Sequence, residues 1–138
     1  MPQLPEDFAP HPARDASLAS MEAVEAGDRD RWLSLFAEDA VVQDPIGVSP
    51  LDPSGEGHRG VDAIAAFYDS TIAPNQVRFT IERSHAAGDE VANVGTITTT
   101  MPDGTVVHTD LVGTYRVDDR GRLVSLRAYW EIDKLRFG

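Results

Sequence analysis

The carboxy-terminal half of the chain constrains the fold most. From Val77 onward come four long β-branched and aromatic runs: Val77–Ser84, Val91–Met101, Thr105–Val117 and Leu123–Ile132. Such side chains suit a pleated, half-buried surface and lose χ1 freedom in a helix. Between the runs stand Ala87-Gly88-Asp89, Pro102-Asp103-Gly104 and Asp118-Asp119-Arg120-Gly121, residue types that reverse a chain in a few steps. Four strands with short reversals make an antiparallel meander, and its apolar face has to be covered.

The cover lies upstream. Ala13 to Ala26 places Leu18, Met21 and Val24 at helical spacing, and Gly27 stops the run. Asp28 is a good N-cap for a second short helix carrying Trp32, Leu33, Leu35 and Phe36. A short strand, Ala40–Asp44, follows, and then a loop from Ile46 to Gly60 rich in Pro, Gly and Ser. A loop of that length in a compact domain is more often functional than decorative. Val61 to Ile72 reads as a third helix, with Ile64, Phe67, Tyr68 and Ile72 along one stripe. Three helices followed by four antiparallel strands give an α+β fold. A strongly curved sheet wrapped around the helices leaves a cone-shaped cavity.

One residue stands apart. Asp44 ends the apolar string Ala40-Val41-Val42-Gln43 and is followed by Pro45-Ile46-Gly47. Proline restricts the residue before it to extended backbone, and glycine then permits a turn. A carboxylate at the end of an apolar strand is poorly hydrated and fixed in direction, as a general base requires. The plain alternative is a turn cap bonded to a nearby backbone N–H.

Bulk properties exclude several function classes. At 138 residues the chain has room for one domain with a real core. Its net charge of −11 argues against nucleic acid and against anionic membranes. With no cysteine there is no disulfide, thiolate nucleophile or cysteine-held zinc. Met1 to Pro12 has four prolines and no apolar run, so it reads as a flexible arm before a domain spanning residues 13–138, and not as a signal peptide. No stretch reaches the length of a membrane span, and a cytoplasmic location is expected by default.

Histidines 11, 58, 85 and 108 are scattered without metal-ligand spacing, so no metal is expected, and solvent exposure in the long loop accounts for His58. There is no Gly-x-Ser-x-Gly elbow and no phosphate-cradling Gly-Lys-Ser or Gly-Lys-Thr. Phe67-Tyr68 in the third helix, with Tyr115 and Tyr129-Trp130 in the last strands, can gather on one side of a curved sheet. They serve there as core or as the wall of a pocket, and a buried Tyr O–H or Trp N–H needs a partner in either case.

Ala26-Gly27-Asp28-Arg29-Asp30, the block Leu35 to Gly47 with its Asp44-Pro45-Ile46-Gly47, Phe67-Tyr68, and Tyr115-Arg116-Val117 through Gly121 to Ala128 together resemble the bacterial Δ5-3-ketosteroid isomerases. The likeness runs from about Leu18 to Trp130, within the wider nuclear-transport-factor-2-like (NTF2-like) and SnoaL-like cone folds. It implies a conical α+β barrel, a homodimer, a hydrophobic steroid ligand and no cofactor. Asp44 matches the family's general base, which moves a proton from C4 to C6 of a 3-oxo-Δ5-steroid through a dienolate. Tyr68 matches a tyrosine supporting the oxyanion hole from behind, and Trp130 an aromatic lining the base's side of the pocket. Phe67 and Tyr115 join the substrate-binding wall.

Two positions depart from the family. Ketosteroid isomerases hold the dienolate oxygen with a tyrosine and a protonated aspartic acid; here those positions carry Ser20 and Gly113. Substitutes are Tyr68 reaching into the space beside Ser20, a water held by Ser20, or the Trp130 indole N–H. Asp110, three residues from Gly113, faces the other side of its strand. The expected activity is a steroid Δ5–Δ4 isomerase with a remodelled oxyanion hole. A steroid-binding protein without turnover and a cyclase using Asp44 as base are the alternatives.

Overall fold

A computed structural model describes residues 1–138. Helix α1 (Pro12–Ala26) and helix α2 (Arg29–Ser34) precede strand β1 (Phe36–Gln43). After the long loop come strand β2 (His58–Arg59) and helix α3 (Val61–Phe67), which continues as a π-helical turn, Tyr68–Ile72. The rest is β3 (Gln76–Ala87), β4 (Glu90–Thr100), β5 (Val106–Val117), β6 (Leu123–Tyr129), a 3₁₀ turn (Ile132–Lys134) and β7 (Arg136–Phe137). The elements follow from local chemistry. The His11 ring accepts from the Ala13 N–H, Pro12 opens α1 where no N–H is needed, and left-handed Gly27 closes it. The Asp28 carboxylate accepts from the Arg31 N–H and starts α2.

The sheet runs β2-β1-β6-β5-β4-β3, with β7 pairing the free end of β5 beyond the reach of β6. Strands β3 to β6 form the expected antiparallel meander. The sheet is nevertheless mixed, because β1 lies parallel to β6, with Val42 opposite Leu126 and Gln43 opposite Arg127. It curves around the three helices without closing, an α+β cone. Helix α1 crosses β3, β4 and β5, and α3 covers β1 and β2. Trp32, Ile64, Val42, Leu123 and Val91 are the largest fully buried apolar side chains where these layers meet.

Two expectations are corrected. Strand β1 begins at Phe36, where helical spacing had continued α2 and placed the strand start at Ala40. The Leu123 N–H takes the Leu35 carbonyl, and Phe36 packs edge-on against Trp32 with ring centroids 4.8 Å apart. Long-range pairing overrides local periodicity there. The amino-terminal arm is not loose. Gln3 accepts from the Ile81 N–H and donates to the Phe79 carbonyl, both at 2.8 Å, so the arm adds to β3. Strand β3 is a sheet edge, whose unpaired backbone groups are a ready template for another extended segment.

Candidate functional site

The mouth of the cone opens on a cavity of about 300 Å³, in which 19 of 29 lining residues are hydrophobic. That lies at the small end of ligand pockets, which span roughly 300–1,000 Å³. Ser20 and Met21 of α1, Phe67 of α3, and the inward residues of β4 and β5 form its walls, with Asp44 and Trp130 at one side. No three metal-capable side chains converge anywhere in the molecule.

Asp44 follows β1 directly. The turn behind it is pinned to β6 by the Ile46 N–H, which donates to the Ala128 carbonyl at 3.1 Å. The parallel register, Gln43 opposite Arg127, brings Asp44 beside the end of β6. From there the Trp130 indole N–H donates to Asp44 Oδ1 at 2.6 Å. No protein group hydrogen-bonds Asp44 Oδ2. Burial raises the proton affinity of this carboxyl above the ordinary carboxylate range, and the Trp130 hydrogen bond and the charge of His58 pull partly the other way. His58 is not a solvated loop residue. It sits in β2, half-buried, with its ring centroid 4.7 Å from that of Phe67.

The long loop is tied internally. Asp52 is buried, and its carboxylate accepts from the Gly57 N–H at 2.8 Å and the Ser54 hydroxyl at 3.0 Å. Leu51 of this loop reaches the cavity wall.

Ser20 lines the cavity and accepts from the Trp32 indole N–H at 3.0 Å. Trp32 thereby occupies the space beside Ser20 into which Tyr68 was expected to reach. The Tyr68 ring packs on Trp32, centroids 5.3 Å apart, and is not part of the cavity wall. Burial raises the Tyr68 phenol's proton affinity, and the charges it feels are those of Asp28, Arg29 and Asp69 on the helical side. The Trp130 N–H is committed to Asp44, which removes it as a free donor. Asp110 does point outward, held by the Arg136 guanidinium at 2.8 Å.

Tyr115 takes a different position. It is buried, lines the cavity, and its phenol is pushed well above the ordinary range by burial and by the negative charge of Asp44. Gly113, two residues earlier on β5, leaves the wall bare: a Cβ there would lie 3.5 Å from Tyr115 Cε1 and 3.9 Å from its hydroxyl oxygen.

Sequence reasoning missed Trp32 as Ser20's partner and missed Asn93 altogether. Asn93 is 2% exposed, and its Nδ2 donates to the Ser17 hydroxyl at 2.9 Å. Ser17 in turn donates to the Arg14 carbonyl, which fixes the amide orientation and leaves Asn93 Oδ1 buried without a partner. The available signal was an amide at an inward position between Val91 and Gly95 of an apolar run.

Residues 18–126 match the SnoaL-like domain family, most of the chain. This chain belongs to the SnoaL-like family. Among solved structures, the SnoaL-like fold seen here is similar to a Δ5-3-ketosteroid isomerase from Mycobacterium sp., 44% identical over 92% of this chain and 98% of that one, with a TM-score of 0.88. It is also similar to a computationally designed 17-OHP binder, 35% identical over 94% of this chain and 98% of that one, TM-score 0.89. A Mycobacterium tuberculosis protein in complex with estradiol-17beta-hemisuccinate is 37% identical over 93% of this chain and 100% of that one, TM-score 0.87.

Proposed function

We propose that this SnoaL-like protein is a steroid Δ5–Δ4 isomerase that needs no cofactor. Its substrate is a 3-oxo-Δ5-steroid. The observation that carries the reading is Asp44, a directed carboxylate with raised proton affinity at the wall of an apolar cavity of ligand size.

The chemistry is an internal proton transfer. Asp44 removes a proton from C4, the C–H electron pair forms the C3–C4 double bond, and the carbonyl electrons move onto O3. The dienolate then collapses as the same carboxyl returns the proton to C6, leaving the C4–C5 double bond conjugated with the ketone. No atom is gained or lost. A carboxylate whose proton affinity is raised by burial is a stronger base than one in water. Trp130 holds Oδ1 and leaves Oδ2 as the oxygen that carries the proton between the two carbons.

The homodimer implied by the family likeness belongs to the same reading, and sedimentation equilibrium measures it. For the chemistry, wild type and Asp44→Asn are assayed side by side on a β,γ-unsaturated 3-ketosteroid by the absorbance of the conjugated enone. Turnover in the wild type that disappears in the variant, with steroid still bound, is the expected result. Equal turnover in both would sink the mechanism. Steroid binding without turnover in either would favour a carrier, a reading in keeping with the 17-OHP binder built on this fold.

A further inference from the structure

The isomerase reading leaves the dienolate oxygen without a donor, since Ser20 and Gly113 stand where the family places its two. From the geometry of β5 we propose that Tyr115 supplies it: the phenolic O–H donates a hydrogen bond to the substrate's carbonyl oxygen and holds the oxyanion that forms there. The inference rests on the isomerase reading and adds a catalytic residue to it.

The placement is specific. Gly113 and Tyr115 are two apart on one strand, so both face the cavity. The Tyr115 ring lies along the wall beside Gly113, close enough that a Cβ there would be in ordinary contact with both the ring and its hydroxyl. The phenol therefore sits against the bare backbone at 113, where the family's acidic donor would stand. The donor comes from the same patch of wall, from a residue two positions along.

The hydroxyl is also uncommitted. Tyr115 is 6% exposed and lines the cavity, and its hydroxyl makes no hydrogen bond to any protein group. Directly across the β4–β5 ladder, Asn93 pairs with Gly113, and its buried Oδ1 is likewise without a partner. The Tyr115 hydroxyl is thus a polar group without a protein partner on an otherwise largely apolar wall, the kind of group that fixes a ligand's polar end. Asn93 Oδ1 only accepts, so it cannot hold an oxyanion; the phenol can.

The electrostatics keep the proton in place. Asp44 and burial both raise the phenol's proton affinity, so Tyr115 stays protonated while negative charge leaves Asp44 and gathers on O3. It donates a hydrogen bond and does not give up the proton. Among the other cavity hydroxyls, Ser20 already accepts the Trp32 indole N–H, and an aliphatic alcohol is a weaker donor to an anion than a phenol.

The test compares wild type, Asp44→Asn, Tyr115→Phe and Tyr129→Phe, the last on the outer, half-exposed side of β6. It reads isomerase kcat and KM, and the affinity for estradiol, whose phenolic oxygen stands in for the dienolate oxygen. Thermal melting confirms that each variant is folded. Tyr115→Phe should lower kcat by about 10²–10³ with KM much less changed, and weaken estradiol by about tenfold. Tyr129→Phe should change neither. If Asp44→Asn is dead and Tyr115→Phe keeps kcat within about threefold of wild type, the donor assignment is overturned while the isomerase reading stands. If wild type does not turn over, that reading fails; an unchanged estradiol affinity in Tyr115→Phe then also overturns the donor role, whereas a tenfold loss upholds Tyr115 as the donor to a ligand oxygen.

Discussion

The Trp130 indole donates to Asp44 Oδ1 at 2.6 Å, across a sequence separation of 86 residues. This contact fixes the carboxylate's direction and lowers its proton affinity, in opposition to the larger effect of burial. It exists because β1 runs parallel to β6, which brings the end of one strand beside the end of the other.

The first prediction concerns pH. The proposed base works only when ionised, so kcat/KM should fall as pH drops through the Asp44 pKa, and that acid limb should lie above the ordinary carboxylate value of 3.8. Trp130→Phe removes the hydrogen bond that favours the ionised form. Its acid limb should move to higher pH, and a profile of kcat/KM against pH measures the displacement. A limb that stays in place would detach Asp44 from the rate.

The second concerns stability. The folded-state pKa of Asp44 lies above its unfolded value, so the unfolded chain holds fewer protons between the two. The ionised carboxylate therefore costs stability above the folded pKa, and that cost disappears as pH falls toward 3.8. Asp44→Asn has no charge to desolvate. Near neutral pH it should melt higher than wild type, by up to a few degrees, and the difference should shrink as the buffer is made acidic. Paired melting curves at several pH values measure it, and a variant that melts lower at neutral pH would contradict the burial cost.

The third concerns Gly95 in the middle of β4. A Cβ there would lie 2.1 Å from the Thr80 carbonyl oxygen and 3.1 Å from the Ile81 Cα, both backbone atoms of β3. The β3–β4 register shifts just beyond, between Ile81 and Arg83. No rotamer relieves a clash with backbone, so Gly95→Ala should cost about 1–3 kcal/mol, read as a lower denaturant midpoint. Gly88→Ala at the β3–β4 turn meets no neighbouring atom and tests the separate cost of a positive φ.

Local chemistry determined much of what this chain became. Its β-branched runs and turn residues specified the meander, Gly27 and Asp28 ended one helix and began the next, and the Asp44-Pro45 step marked the candidate base, because each signal acts over a few residues. Period-two alternation also placed Gly113 and Tyr115 on one face. The tertiary structure alone decided the rest: the parallel pairing of β1 with β6, the arm docked on β3, Trp32 taking the Ser20 hydroxyl in place of Tyr68, and the Tyr115 ring lying beside Gly113. Those outcomes depend on which distant surfaces compete for the same volume and the same unpaired polar atoms. That competition has no local signature and is settled only when the sheet curves around its helices.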